Sequence, residues 1–160
     1  MRYMPKPVEV SIEVPQARED VYEFLDVMAN HEPFTDHLMR DWEVSGPPRG
    51  VGSKARVHVS AFGVKDVVDI EVVHAEAPAR IVERNRAEKA GRLAQGTYML
   101  EPTPSGGTRI TFEYRWIDTP LVDRLTAPMS RAFIRRTNET AMRRLAELLR
   151  TREPARTTTA

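Results

Sequence analysis

Val8, Val10, Ile12 and Val14 alternate with Glu9, Ser11 and Glu13, the period of a half-buried strand, and Pro15 ends the run. The period then lengthens. Val21, Tyr22, Leu25 and Met28 recur at three- and four-residue intervals, which predicts a first helix over residues 17–29 with Glu19 and Asp20 at its positive end. NHEPFTDHL reads as a break followed by a short second helical turn, because Pro33 is tolerated at a helix start and not in its middle. Six strands follow between Met39 and Asp118: MRDWEVSG, GSKARVHVSA, VKDVVDIEVVH, ARIVERNRAEK, RLAQGTYMLE and TRITFEYRWID, with turn residues between them. Connections this short make neighbouring strands antiparallel. After Asp118, Thr119 suits an N-cap and Pro120 a first turn. A closing helix is expected to reach about Arg152, kinked or divided at Pro128.

Facing follows from the turns. A two-residue loop at Phe62 and Gly63 places Val59 opposite Asp66, Val57 opposite Val68 and Ala55 opposite Ile70, and sends Lys54, Arg56, His58, Lys65, Asp69 and Glu71 to water. A similar loop at Ala90 and Gly91 groups Ile81, Glu83 and Asn85 with Ala94, Gly96, Tyr98 and Leu100. In the last strand Ile110, Phe112, Tyr114 and Trp116 point inward, and by the same parity so does His74. The inward face is therefore not uniformly apolar. Its small residues leave space, and a carboxylate buried there must be paired, protonated, hydrated or in contact with a ligand.

The closing helix has the same character. Ile134, Ala141, Leu145 and Leu148 form an apolar stripe interrupted by Asn138, with Thr137 beside it, where a helix over a dry core would carry large aliphatics. The expectation is a cavity beneath this helix. Its walls are predicted to include Trp42, Val57, Val59, Asp66, Val68, Ile70, Glu83, Asn85, Tyr98, Phe112, Tyr114, Trp116, Met129, Phe133, Thr137, Asn138 and Ala141, the large aromatics serving equally as core. Asp66, Glu83 and Tyr114 are the candidate proton-transfer groups, since a carboxyl in an apolar cavity has a raised pKa suited to enolisation and aldol ring closure.

Composition narrows the classes. With 160 residues the chain fits one domain, and 41% hydrophobic with 29% charged residues is a globular balance. A net charge of +1 gives the whole-molecule field no reason to attract nucleic acid or an acidic membrane. The absence of cysteine excludes disulfides, thiolate catalysis and cysteine-ligated metals, and fits a cytoplasmic protein. HEPFTDH is not HExxH, and Pro33 keeps His31 and His37 off a common helical face, so no metal and no cofactor is expected. GVGS precedes a strand, not a helix, and so is no phosphate loop. No apolar run is long enough to span a bilayer, and the N-terminus shows no leader pattern. Residues 1–6 are expected to be flexible, 7–152 to form the domain, and 153–160, EPARTTTA, to be a disordered tail.

VEVSIEVPQAREDVYEFL, NHEPFTDHL, GPPRGVGSKARV and GTYMLEPTPSGGTRITFEYRW together resemble the START and birch-pollen-allergen superfamily, in the branch called polyketide cyclase/dehydrase or SRPBCC. The resemblance covers residues 7–150. It implies an α+β helix-grip fold, a seven-stranded antiparallel sheet around a long C-terminal helix with two short helices between strands 1 and 2. It also implies a deep apolar cavity for a lipid, polyketide or similar molecule. An exposed strand edge allows a homodimer as well as a monomer. The family has no invariant catalytic set, so the function implied is binding of an apolar small molecule, with a metal-free cyclase, aromatase or dehydrase as the alternative, and a protein-interaction module as another.

Overall fold

The computed structural model describes residues 3–152; Met1, Arg2 and the tail expected over 153–160 lie outside them. Strands β1 (Val8–Val14), β2 (Met39–Ser45), β3 (Lys54–Ala61), β4 (Val64–Glu76), β5 (Arg80–Ala87), β6 (Leu93–Pro102) and β7 (Thr108–Asp118) form one antiparallel sheet ordered β1-β7-β6-β5-β4-β3-β2. Helices α1 (Arg18–Asp26) and α2 (Glu32–Thr35), joined by a 3-10 turn at Met28–His31, lie between the first two strands. The chain closes with α3 (Leu121–Leu125) and α4 (Ala127–Thr151). This is the helix-grip architecture.

The β3–β4 turn has the predicted register: Ala61 pairs with Val64, Val59 with Asp66, Val57 with Val68 and Ala55 with Ile70. Phe62 at φ 53° and Gly63 at φ 75° are both left-handed, the backbone of the tight turn that matches strand twist. Between β5 and β6 the loop is longer than two residues. The Ala87 N–H donates to the Arg92 carbonyl at 2.8 Å and the Gly91 N–H returns to the Ala87 carbonyl at 2.9 Å. Glu83 therefore pairs with Gly96 and Asn85 with Ala94. This register differs by an even number of residues from that of a two-residue loop, so every side chain keeps its expected face.

A bulge between Val72 and His74 reverses the parity of β4 near its end. Ala75 pairs with Ile81, and His74 is exposed beside Glu76 at 3.7 Å, not inward as alternation had suggested. The closing helix divides at Thr126 (φ −105°, ψ 25°), two residues before Pro128, which sits in the first turn of α4 where a missing N–H is harmless. Thr119 does not cap a helix N–H. Its hydroxyl donates to Asp123 Oδ2 at 2.8 Å.

Helix α4 runs alongside β1. Arg131 donates to the carbonyls of Lys6 and Pro7, Arg135 to that of Glu9 at 3.1 Å, and Gln16 Nε2 to that of Leu149 at 3.0 Å. Pro5, just before β1, is buried. Between sheet and helices lie Phe34, Leu25, Met28, Ile81, Ile110 and Leu145, all fully buried. Each such side chain contributes roughly 1.5–3 kcal/mol relative to exposure. This core fills the end of the grip near Leu145 and Leu149. At the other end of α4 the packing loosens, since Ile134, Thr137 and Asn138 are only half-buried.

Candidate ligand-binding site

β5 turns Glu83 and Asn85 toward the helix, and Gly96 opposite Glu83 leaves the room that this carboxyl and the Phe112 ring occupy. A Cβ on Gly96 would meet Phe112 Cζ at 2.9 Å and Glu83 Cγ at 3.3 Å. Tyr98 stacks on Phe112 with ring centroids 4.7 Å apart, and Tyr114 meets Trp116 edge-on at 4.9 Å. From β2, Trp42 joins the wall because a bulge between Arg40 and Glu43, with Asp41 at φ 54°, re-aims its ring; the indole N–H donates to the Met39 carbonyl at 3.2 Å. Ile134, Asn138, Ala141 and Met142 of α4 form the roof, and His31, Thr35, Leu38 and Met39 the remaining side.

These residues enclose a hollow of about 60 Å³. That holds a few water molecules. It is far below the roughly 300–1,000 Å³ of a pocket for a drug-sized molecule, so the deep cavity implied by the resemblance is not open in this conformation. Leu38, Met39, Ile134 and Met142 are among the side chains that close in on it.

Three polar atoms around the hollow are buried without a hydrogen-bond partner: Glu83 Oε2, Asn85 Oδ1 and Asn138 Nδ2. Such atoms are uncommon and costly, about 1–3 kcal/mol each when left unpaired. Burial pushes the Glu83 carboxyl up to about 7, and Glu83 is 6% exposed. Burial likewise pushes the Tyr114 phenol to about 12, overcoming the opposite pull of Arg92, so Tyr114 stays protonated and serves as a donor. His31 is held neutral by burial, which lowers its pKa against the opposing effects of the Leu25 carbonyl and Asp26. Its Nε2 donates to that carbonyl at 2.7 Å, and its ring meets Tyr98 edge-on at 5.6 Å.

Of the predicted wall, Trp42, Ile70, Glu83, Asn85, Tyr98, Phe112, Tyr114, Asn138 and Ala141 converge on the hollow. Asp66 does not. It accepts backbone N–H bonds from Val67 at 2.7 Å, Lys89 at 2.8 Å and Ala90 at 3.0 Å, and so ties the β5–β6 loop to β4. Burial works to raise the Asp66 pKa, but these bonds and Arg92 outweigh it and the net shift is downward. Val57 and Val68 belong to the core, and half-buried Val59 borders a groove on the charged side of the sheet. Trp116 lies behind Tyr114, next to the Asp123 carboxylate that binds Arg92. Thr137 contributes its carbonyl to His37 Nε2 at 3.0 Å. Met129 is 60% exposed, and Phe133 rests on Phe62 of the β3–β4 turn with centroids 5.0 Å apart. Neither borders the hollow, although Ile134, next to Phe133, does.

The sequence reading missed Met39, Leu38, Thr35 and Met142. Met142 carries a signal, being one helical turn beyond Asn138; the α2–β2 residues have no periodicity to reveal them. Two larger grooves, about 720 and 900 Å³, are bounded mainly by charged outward side chains of β2–β5 such as Arg56, which pairs with Asp69 at 3.0 Å. Charged side chains make up about half of the residues around each, whereas the hollow is walled mainly by aromatic and aliphatic ones.

No family model and no curated protein matches this sequence. Solved structures do match the fold. DynU16, a protein of the dynemicin biosynthetic locus, is 23% identical with a TM-score of 0.64 over 91% of this chain, which spans about half (47%) of DynU16. KanY superposes with a TM-score of 0.71 at 12% identity, covering 91% of this chain and 98% of KanY. Ara h 8.0201 gives 0.65 at 11% identity, covering 92% and 99%. The fold is therefore the helix-grip fold that Ara h 8.0201 also has, as the motifs implied.

Proposed function

We propose that this protein binds a small, largely apolar molecule bearing a carbonyl or hydroxyl group, held between the sheet and α4. The observation that carries this reading is the convergence of three unpartnered buried polar atoms, Glu83 Oε2, Asn85 Oδ1 and Asn138 Nδ2, on one aromatic-walled hollow. A phenolic hydroxyl on the guest accepts from Asn138 Nδ2 and donates to Asn85 Oδ1, a keto oxygen accepts from Asn138 alone, and Trp42, Tyr98 and Phe112 cover the apolar body. Met39 and Met142 are unbranched and can repack, so the hollow enlarges by rotation of thioether side chains and a small shift of α4. A biosynthetic locus as the source of DynU16 supports a ligand of the polyketide type.

The test is a titration with 2-naphthol followed by NMR. The Trp42 indole and the Asn85 and Asn138 side-chain amides should shift together, the Trp116 indole much less. Asn138→Leu should weaken binding about tenfold, the equivalent of one hydrogen bond. Shifts confined to the charged grooves, or unchanged affinity in Asn138→Leu, would refute the reading.

A second reading, a cyclase or dehydrase, is favoured by one observation. Glu83 is carried to about 7 by burial, so near neutral pH both its protonated and ionised forms are populated. In that reading Glu83 removes a proton α to a ketone and Tyr114 donates to the developing enolate oxygen. Glu83→Gln would then abolish turnover of a polyketone and leave its binding intact, whereas a simple binder turns over nothing.

A further inference from the structure

The beginning of the closing helices exposes more apolar surface than a folded domain ordinarily leaves in water. Leu121, Val122, Leu125 and Met129 are each 59% exposed or more. The bend at Thr126 does not scatter them. Thr126 N–H still donates to the Val122 carbonyl and Ser130 N–H to the Thr126 carbonyl, both at 2.9 Å, so the helical path continues. Leu121, Leu125, Met129 and Phe133 then fall at successive four-residue intervals, on one face. That face leads to Phe62, 73% exposed at the tip of the β3–β4 turn and in contact with Phe133. The result is a continuous apolar patch on two neighbouring elements, of the kind that marks an interaction site.

The charges around it decide what it meets. A net charge of +1 hides an uneven distribution: residues 119–152 carry eight arginines against three acids. Exposed Arg136 follows Phe133 by three residues, on the same face, Arg124 adjoins Leu125, and Lys65 is next to the hairpin tip, while Arg131 and Arg135 are held on the carbonyls of Lys6, Pro7 and Glu9. The acid nearest in sequence, Asp123, is bound to Arg92 by two hydrogen bonds. A second copy docking through this face would set arginines against arginines, because a two-fold interface brings the same patch to itself. An anionic bilayer instead offers hydrocarbon to the leucines and phosphate to the guanidiniums, the arrangement of a helix lying in the membrane interface.

We infer that α3, the start of α4 and the β3–β4 hairpin tip form a docking surface for anionic phospholipid bilayers. The inference stands on exposed side chains and is independent of what occupies the hollow.

Co-sedimentation with vesicles tests it. Vesicles of equal parts phosphatidylglycerol and phosphatidylcholine should bind the protein, pure phosphatidylcholine much less, and added salt should release it. Leu125→Ser with Met129→Ser should reduce partitioning about tenfold or more. Arg136→Gln with Arg124→Gln should weaken binding to the anionic vesicles and leave the small binding to neutral ones unchanged. All four residues are exposed or half-buried, and thermal melts check that the variants remain folded. No binding to anionic vesicles, or binding unaffected by the double serine variant, overturns the inference. So does sedimentation velocity showing a dimer that the serine variant dissolves while vesicles bind neither form, which would assign the patch to a second copy.

Discussion

Replacing Glu83 by glutamine removes a charge that the folded protein holds at a cost, and that cost is readable against pH. In the unfolded chain the carboxyl titrates near 4.5; in the fold, burial carries it to about 7. Below 4.5 both states are protonated and the group contributes no pH dependence. Between the two values the unfolded chain releases its proton and the folded protein keeps it, so stability falls as pH rises, by about 1.4 kcal/mol for each pH unit. Above 7 the loss is complete, at about 3 kcal/mol. Glutamine has nearly the same shape and no charge. Glu83→Gln should therefore differ little from the parent in pH dependence below 4.5, and gain about 3 kcal/mol relative to it by pH 8, or roughly 10 °C in Tm for a domain of this size. Calorimetric melts of both proteins at pH 4 and pH 8 give the comparison, because every other titrating group cancels in the difference. An equal Tm difference at the two pH values would mean that Glu83 is solvated or paired, and would remove both the proton-transfer reading and its basis in burial.

Gly96→Ala should destabilise by about 1–3 kcal/mol through overpacking, since the new methyl meets Phe112 at 2.9 Å; denaturant titration measures the loss, and 2-naphthol binding should fall with it. Asp66→Ala should cost about 1 kcal/mol at neutral pH by uncapping the N–H groups of Lys89 and Ala90. Because the Asp66 pKa is lowered in the fold, its contribution is present above the ordinary carboxylate range and fades as pH falls through the folded value. The deficit of the variant in urea denaturation should accordingly shrink in acid, and a constant deficit would contradict the assignment.

Much of this was legible in the residues. The alternation of Val8, Val10, Ile12 and Val14 and the Phe62–Gly63 turn fix strands and facing, and the facing of Glu83 and Asn85 survives a misjudged loop because an even register change preserves parity. Asn138 stands out as polar within an apolar stripe, and it does roof the hollow. Bulges are another matter. Nothing in VHAE announces the extra residue that turns His74 outward, and only the left-handed Asp41 brings Trp42 in. Nor does parity say what a side chain meets. Asp66 faces the expected way, yet its oxygens are taken by a loop from another hairpin, a long-range contact that no local pattern encodes. The volume of the hollow was equally hidden, because it depends on how Leu38, Met39 and Met142 fill space together.

The placement of β1 at the edge beside β7 has a consequence for how the molecule assembles. Ser11 and Thr111 sit side by side in the sheet although 100 positions separate them in the chain. The strands from β2 to β7 can zip up as successive hairpins, each closing a short loop, but β1 has nothing to join until β7, some 100 residues later, has been made. An emerging chain thus carries β1 unpaired while the six later strands are made. The α4 helix, anchored on β1 by Arg131 and Arg135, can settle only after that edge is in place.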